Sequence, residues 1–308
     1  MPNDSHGGRG PNGAPWSAKS WTSCDGLNLF YRDYAGSADR PPLLCLPGLT
    51  RNSRDFEEFA NLYAGEFRVI ALDFRGRGKS DRDPLPARYV PTTYATDVLK
   101  LLDDIEIDQA VFVGTSLGGL VTMLIASIQP ERIAAAILND IGPDIDQAGL
   151  DRIRSYVGRP VRFASWDEAA DYVAGVNRGL PASFGHDDWL RAARRLCKED
   201  GDGIVFDYDL AIAEPFNQRN DGAVAFDMWP LYRKLANAPL LIVRGEKSDL
   251  LTSDTAKAMV DAAADAELVV VPGLGHAPEL TESEATAAID RFLRRLAPSE
   301  HGRQEPPS

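Results

Sequence analysis

Cysteine is scarce in this sequence, and long apolar runs are missing. The 308 residues include three cysteines, Cys24, Cys45 and Cys197, an odd number without metal-like spacing. This count argues against a disulfide framework and favours a reducing, cytoplasmic compartment. No apolar stretch approaches the roughly 20 residues that a membrane-spanning helix needs. We therefore expect no membrane association.

Basic residues are also few. Lys and Arg total 33 against 46 for Asp and Glu, which gives a net charge of −13. Nucleic acids and anionic membranes bind basic surfaces, so neither is expected as a partner. Gly78-Lys79-Ser80 resembles the end of a phosphate-binding loop, but Asp73 stands where that pattern requires its first Gly. No G-x-G-x-x-G follows a strand, and no Cys or His cluster suggests a metal. The sequence predicts no cofactor and no metal.

The most informative stretch is Val111 to Gly119. Three apolar residues, typical of the end of a buried strand, precede Gly114-x-Ser116-x-Gly118, and an apolar helical run follows. This strand–turn–helix order predicts a nucleophile elbow with Ser116 at its tip. Small residues two positions on either side are needed because the backbone at the serine is strained.

Around this stretch, short apolar strands alternate with amphipathic helices, which predicts an α/β fold with a mostly parallel sheet covered on both faces. The alternation stops after residue 143 and resumes near residue 226. We interpret 16–143 and 226–297 as the core and 144–225 as an inserted helical cap without strong strands. The Gly/Pro-rich segments 1–15 and 298–308 are expected to be disordered tails.

His276 is the candidate general base. It lies in Gly273-Leu274-Gly275-His276, after the last predicted strand and before the last helix. Loops on a rigid scaffold frequently carry catalytic groups.

Two aspartates compete for the role of the acid that orients His276. Asp249 follows the penultimate strand in Gly245-x-x-x-Asp249, and Asp140 follows the strand after the elbow helix. The order Ser116, Asp249, His276 agrees with the nucleophile–acid–base order of elbow hydrolases. Asp249 is preferred, and Asp140 remains the alternative.

The turn Pro47-Gly48-Leu49 is the candidate second half of an oxyanion hole. Such a hole needs two backbone N–H groups, one of them from the residue after the nucleophile, which is Leu117. Leu49 is the expected second donor, because Pro47 has no N–H and Gly48 permits close approach.

Taken together, these motifs resemble the α/β-hydrolase superfamily over about residues 26 to 296. The matching segments are Leu46-Pro47-Gly48-Leu49, Asp73-x-Arg75-Gly76-x-Gly78-x-Ser80, Gly114-x-Ser116-x-Gly118-Gly119, Gly245-x-x-x-Asp249 and Gly275-His276. Pro47 departs from the family, in which many members have His before the Gly. The resemblance implies a central sheet of about eight strands with an inserted helical cap.

The resemblance also implies a serine hydrolase, acting as a monomer or homodimer, that cleaves a small carboxylic ester or lactone through an acyl-enzyme on Ser116. A carbon–carbon hydrolase acting on diketones is the enzymatic alternative, although Thr115 replaces the Asn that commonly precedes the nucleophile there. A non-enzymatic small-molecule receptor is the second alternative.

The cap is expected to determine which substrate binds. Its aromatic residues are candidates for an apolar pocket, and Trp166, Trp189 and Phe216 are the three assigned to substrate binding. The full set is Trp166, Tyr172, Phe184, Trp189, Phe206, Tyr208, Phe216, Phe226 and Trp229.

Overall fold

A computed structural model describes residues 13–176, 184–217 and 227–296. Residues 1–12 and 298–308 of the two predicted tails lie outside the described residues. Ala14 already contacts the fold, because its N–H donates to Asn61 Oδ1 at 2.7 Å.

The central sheet has eight strands in the order β1-β2-β4-β3-β5-β6-β10-β11. Strands β1 and β2 pair antiparallel, β2 pairs antiparallel with β4, and the other pairs are parallel. The predicted fold class, a mostly parallel sheet flanked by helices, is confirmed. These strands are β1 (Trp16–Thr22), β2 (Asn28–Tyr34), β3 (Leu43–Leu46), β4 (Val69–Asp73), β5 (Ala110–Thr115), β6 (Ile133–Asn139), β10 (Leu240–Gly245) and β11 (Ala266–Val271).

Helices cover both faces of the sheet because its central strands are apolar on both sides. Strands β3 and β4 are buried at every position. One apolar core lies under α2 (Pro91–Asp104), α3 (Leu117–Ile128), α8 (Trp229–Leu235) and α9 (Ser253–Asp261). The other lies under α1 (Glu57–Tyr63) and α10 (Ser283–Arg295). In this arrangement, the carboxyl ends of the parallel strands lie together at one end of the sheet.

The segment between β6 and β10 contains the predicted insertion. Its helices are α4 (Gln147–Arg154), α5 (Trp166–Val176), α6 (His186–Leu196) and α7 (Ala213–Asn217). It also contains a small antiparallel sheet, ordered β7-β9-β8, of β7 (Arg162–Phe163), β8 (Cys197–Asp200) and β9 (Gly203–Phe206). The boundaries 144–225 stay a prediction.

The insertion thus carries three short strands besides its helices, which the sequence pattern does not predict. The β8–β9 hairpin turns at Gly201, whose φ of +62° lies in the region that favours glycine. The following Ile204-Val205-Phe206 is a short β-branched and aromatic run. Such short runs are ambiguous between strand and helix, because too few residues define a period.

A buried ionic cluster surrounds Arg75, in the loop after β4. Its guanidinium is 2% exposed and donates to Asp97 at 2.6 and 2.8 Å, to Asp83 at 2.5 Å and to Asp25 at 2.9 Å. Burial raises the pKa of Asp97, although the hydrogen bonds from Arg75 lower it. The cluster links the β1–β2 turn to α2 and to the loop after β4.

Candidate active site

The elbow has the strained geometry that its sequence predicts. Ser116 connects β5 to α3 with φ 52° and ψ −113°, a conformation that non-glycine residues rarely adopt. A Cβ at Gly114 would lie 2.6 Å from the Gly119 nitrogen, and one at Gly118 would lie 2.1 Å from the Leu46 carbonyl oxygen. Glycine is thus required on both sides of Ser116.

We expect Gly118→Ala to destabilise the protein by about 1–3 kcal/mol, because the new methyl group overlaps backbone that cannot move freely. Gly175, an exposed helical glycine with nothing within 4 Å of an added Cβ, is the matched control. There the same change should stabilise by about 0.5–1 kcal/mol. Urea unfolding of both variants is the measurement, and equal effects would contradict the packing argument.

His276 lies beside the serine. It is on the loop between β11 and α10, and its Nε2 is 3.0 Å from Ser116 Oγ. Its Nδ1 is 2.8 Å from Asp140 Oδ2. An ionised carboxylate only accepts hydrogen bonds, so Nδ1 carries a proton and Nε2 is left to accept from the serine hydroxyl. This tautomer suits a general base.

The acid in contact with His276 is Asp140 and not Asp249. Asp140 is fully buried just after β6. Its Oδ1 accepts from the Gly245 N–H at 2.8 Å, and its Oδ2 accepts from Ser248 Oγ at 2.6 Å as well as from His276. The carboxylate is therefore fixed by hydrogen bonds on both oxygens.

Asp249 has a different partner. Both of its carboxylate oxygens accept from Arg152, at 2.5 and 2.8 Å, and these hydrogen bonds lower the pKa of Asp249. The preference for Asp249 over Asp140 is corrected accordingly. The physical reason lies in the side-chain packing: groups at the end of β10 hold the Asp140 carboxylate against His276, whereas Arg152 holds the Asp249 carboxylate.

The predicted oxyanion donors lie on either side of the serine. A Cβ at Gly48 would be 3.8 Å from Ser116 Cβ, so the turn at 47–49 approaches the nucleophile closely. Leu49 lines the pocket, and its carbonyl is held by Arg77 Nε at 2.9 Å. Leu117 is the first residue of α3, where helix N–H groups have no intrahelical acceptor. The oxyanion hole itself stays a prediction.

Ser116 and His276 open into a pocket of about 150 Å³ between the core and the inserted segment. Its walls are mixed in character. The apolar and aromatic part comes from Leu49, Phe56, Ile153, Tyr156, Val157, Val173, Val176, Leu196, Phe206 and Tyr208.

The three aromatics assigned to substrate binding do not line this pocket. Trp166 and Trp189 pack on the small core of the inserted segment, and Phe216 packs in a cluster with Ile153 and Leu250. The structure therefore does not bring these three side chains to the pocket beside Ser116, since they pack within the insertion instead. From the full aromatic set, Phe206 and Tyr208 reach the pocket, and Phe226 lies outside the described residues.

Sequence reasoning missed the charged part of the pocket wall. Three arginines and two carboxylates line it: Arg51, Arg152, Arg195, Asp55 and Glu279. Their positions in the sequence, 51 to 279, give no local motif. These residues become neighbours only in the folded protein, which brings together the loop after β3, the loop before α10 and the helices α4 and α6.

Two further findings concern the part of the chain that the structure describes. No group of three or more His, Cys, Asp or Glu side chains there could hold a metal ion. No helix in that part is long and apolar enough to cross a membrane.

Comparison with known proteins gives a family and relatives. The model described as the alpha/beta hydrolase family matches residues 43–289. The 3-hydroxybutyrate-oligomer hydrolase of Cupriavidus necator is 32% identical over 274 residues, covering 86% of this chain and 92% of that protein. The 2-(acetamidomethylene)succinate hydrolase of Mesorhizobium japonicum is 30% identical over 256 residues, covering 81% and 88%.

A solved structure is also similar over nearly the whole length. The crystal structure of an alpha/beta hydrolase from Novosphingobium aromaticivorans superposes with a TM-score of 0.86 at 47% identity, covering 91% of this chain and 98% of that one.

Proposed function

This chain belongs to the alpha/beta hydrolase family, and we propose that it hydrolyses a small carboxylic ester through an acyl-enzyme on Ser116. One observation carries the proposal: the continuous hydrogen-bonded line from Asp140 through His276 to Ser116, with contacts of 2.8 and 3.0 Å. A serine hydroxyl beside an oriented base is an activated nucleophile.

In the first half of the reaction, Ser116 Oγ attacks the ester carbonyl carbon while its proton passes to His276 Nε2. The carbonyl oxygen becomes an oxyanion that the N–H groups of Leu49 and Leu117 stabilise. Asp140 stabilises the imidazolium. The carbon–oxygen bond to the alcohol then breaks, and His276 returns its proton to the departing alcohol oxygen.

In the second half, His276 takes a proton from water as the water oxygen attacks the acyl carbon. The bond to Ser116 Oγ breaks, the serine recovers its proton, and a carboxylic acid leaves. No cofactor is required for either half, because proton transfer and oxyanion stabilisation supply the chemistry.

The substrate we propose is either a short ester of a hydroxy acid or a small lactone, which is a cyclic ester. A pocket of about 150 Å³ is below the roughly 300–1,000 Å³ of sites for drug-sized ligands. The relative from Cupriavidus necator is named for hydrolysis of 3-hydroxybutyrate oligomers. A short hydroxy-acid ester is compatible with both the size of the pocket and that relative.

The test is a panel of short aryl esters, small lactones and hydroxy-acid esters, with wild type and Ser116→Ala compared. Wild type should hydrolyse the short members, and Ser116→Ala should lose at least about 10³-fold in kcat, because the covalent route needs the hydroxyl. Unchanged activity in the variant would overturn the mechanism.

Cleavage of a different bond is the second candidate. The relative from Mesorhizobium japonicum is named for hydrolysis of 2-(acetamidomethylene)succinate, and the diketone-cleaving alternative predicted from the sequence would use the same serine and histidine. If the wild type cleaves diketones or substituted succinates and hydrolyses no ester of the panel, this second candidate function is the correct one. Biological activity that survives Ser116→Ala would select the receptor alternative.

A further inference from the structure

The charged wall of the pocket is unusual for a site that binds a neutral ester alone. Three arginines and two carboxylates line it, and two ion pairs lie among them, Arg51 with Asp55 and Arg195 with Glu279. Burial raises the pKa of one of these acids, Glu279, and the neighbouring acids Glu58 and Asp55 raise it further. Charges inside a pocket are costly unless they are paired or used. Each arginine is paired with a carboxylate, so an anionic ligand would be bound by the guanidinium donors that these pairs leave over.

Arg195 is not the residue that would bind it. Its Nη1 donates to Glu279 at 2.8 Å and its Nη2 donates to Glu58. These two contacts tie α6 to α1 and to the loop before α10. The guanidinium is engaged at both ends, so we interpret Arg195 as a structural link.

Arg51 and Arg152 are held differently. Arg51 uses Nε and Nη2 to bind Asp55, at 2.5 and 2.7 Å. Arg152 uses the same two atoms to bind Asp249, at 2.5 and 2.8 Å. In both, the acid fixes one edge of the guanidinium and leaves Nη1 as the remaining donor nitrogen. Each side chain is about one-third exposed, at 27% and 30%, so neither is sealed from the pocket.

Tyr156 places a third donor beside them. Burial raises the pKa of its hydroxyl, and the nearby charges of Arg152 and Arg51 lower it. Tyr156 lines the same pocket as Arg51 and Arg152. The tyrosine therefore lies close to both guanidinium groups, with its hydroxyl among the cations.

Arg51 is also close to the reaction centre. Its N–H donates to the Gly48 carbonyl at 3.1 Å, and its Cγ would lie 3.3 Å from a Cβ on Gly48. The same Cβ would be 3.8 Å from Ser116 Cβ. Arg152 is on α4 of the inserted segment. A ligand between the two arginines would span from the nucleophile to the insertion.

We propose that Arg51, Arg152 and Tyr156 form a carboxylate-binding subsite, and that the substrate is an ester carrying a free carboxylate a few bonds from the cleaved bond. This inference rests on the proposed function, because the subsite and Ser116 share one pocket. Guanidinium groups suit the purpose, since their planar donors match a carboxylate.

Asp249 acquires a role in this arrangement. It follows β10, where the family pattern predicts the catalytic acid. The Nδ1 of His276, however, already makes its hydrogen bond with Asp140. Asp249 instead holds Arg152 by two hydrogen bonds. It is a positioning residue for the substrate carboxylate and not for the histidine.

The test compares two probes of matched shape, 3-acetoxybutanoate and its neutral amide 3-acetoxybutanamide. Binding to the 308-residue Ser116→Ala protein is measured by calorimetry, so that no turnover is needed. The carboxylate should bind at least about tenfold more tightly, because hydrogen bonds to charged groups are the stronger class. Arg152→Met in the same background should remove most of this preference.

Two further variants make the result specific. Arg154→Met removes an arginine from the same helix that bonds Asp151 and does not line the pocket, and it should leave the preference unchanged. Tyr156→Phe, a smaller change that preserves packing, should reduce the preference severalfold. Equal binding of both probes, or an equal effect of Arg152→Met and Arg154→Met, would overturn the subsite.

Turnover separates this inference from the proposed function. If wild type hydrolyses both probes at equal kcat/KM and binding shows no preference, the subsite is wrong and the esterase stands. If the binding preference is present but neither probe nor any panel ester is hydrolysed, the subsite stands and the ester hydrolysis is wrong.

Discussion

Asp140→Asn is expected to lower kcat for a short neutral ester by about 10⁴-fold while KM changes little. An amide can donate a hydrogen bond to Nδ1 and so favours the wrong imidazole tautomer, in which Nε2 carries the proton and cannot accept from Ser116. The loss of negative charge also leaves the imidazolium of the transition state without its counter-charge. Steady-state kinetics of the purified variant measure the effect, with circular dichroism to confirm that it folds.

Asp249→Asn is the matched control, since it is the same change at the acid that binds Arg152. Its kcat for a neutral ester should stay within about fivefold of wild type, because a partly exposed ion pair contributes only about 0–1 kcal/mol. If Asp249→Asn proved the more damaging of the two changes, the assignment of Asp140 would be wrong.

Arg75→Met is expected to lower the free energy of unfolding by about 3–5 kcal/mol, because it leaves Asp83 and Asp97 buried without their counter-charge. Both side chains are at most 3% exposed. The deficit should shrink as the pH falls, since burial already raises the pKa of Asp97 and protonation removes the uncompensated charge. Urea unfolding between about pH 5 and 8 measures both effects.

Arg88→Met tests whether burial is the cause. Arg88 contacts two acids of the same cluster, Asp25 at 2.8 Å and Asp83 at 3.9 Å, but it is 42% exposed. Its removal should cost at most about 1 kcal/mol. A loss as large as that of Arg75→Met would show that contact with the acids, and not burial, determines the energy.

The pairing of Ser116 with His276 could be predicted from the sequence because local chemistry constrains both residues. Ser116 needs Gly114 and Gly118 within two positions, where any Cβ would overlap backbone. His276 lies in a short Gly-rich loop between a strand and a helix. The sheet was predictable for the same reason, since buried parallel strands are short apolar runs.

The acid could not be chosen in this way. Asp140 and Asp249 each follow a strand whose carboxyl end reaches the same edge of the sheet, so the local patterns are equivalent. Only the packing of side chains across β6 and β10 distinguishes them. The contact from Ser248 Oγ to Asp140, one residue before Asp249, shows how small the difference is.

The pocket wall could not be predicted either. Trp166 and Trp189 are predicted to line it as aromatic residues of the insertion, yet they pack on the small core of the insertion. Arg51 and Arg152 are separated by a hundred residues and have no shared motif. Their meeting depends on how the insertion docks on the core, which is a tertiary property.

The most direct measurement is covalent labelling of the 308-residue protein with a fluorophosphonate, which reacts with an activated serine by displacement of fluoride. Peptide mapping by mass spectrometry locates the adduct. The account predicts one adduct, on Ser116, that is lost in Ser116→Ala, is strongly slowed in Asp140→Asn and persists in Asp249→Asn. No adduct, or an adduct on another residue, would contradict the claim that Ser116 is the nucleophile.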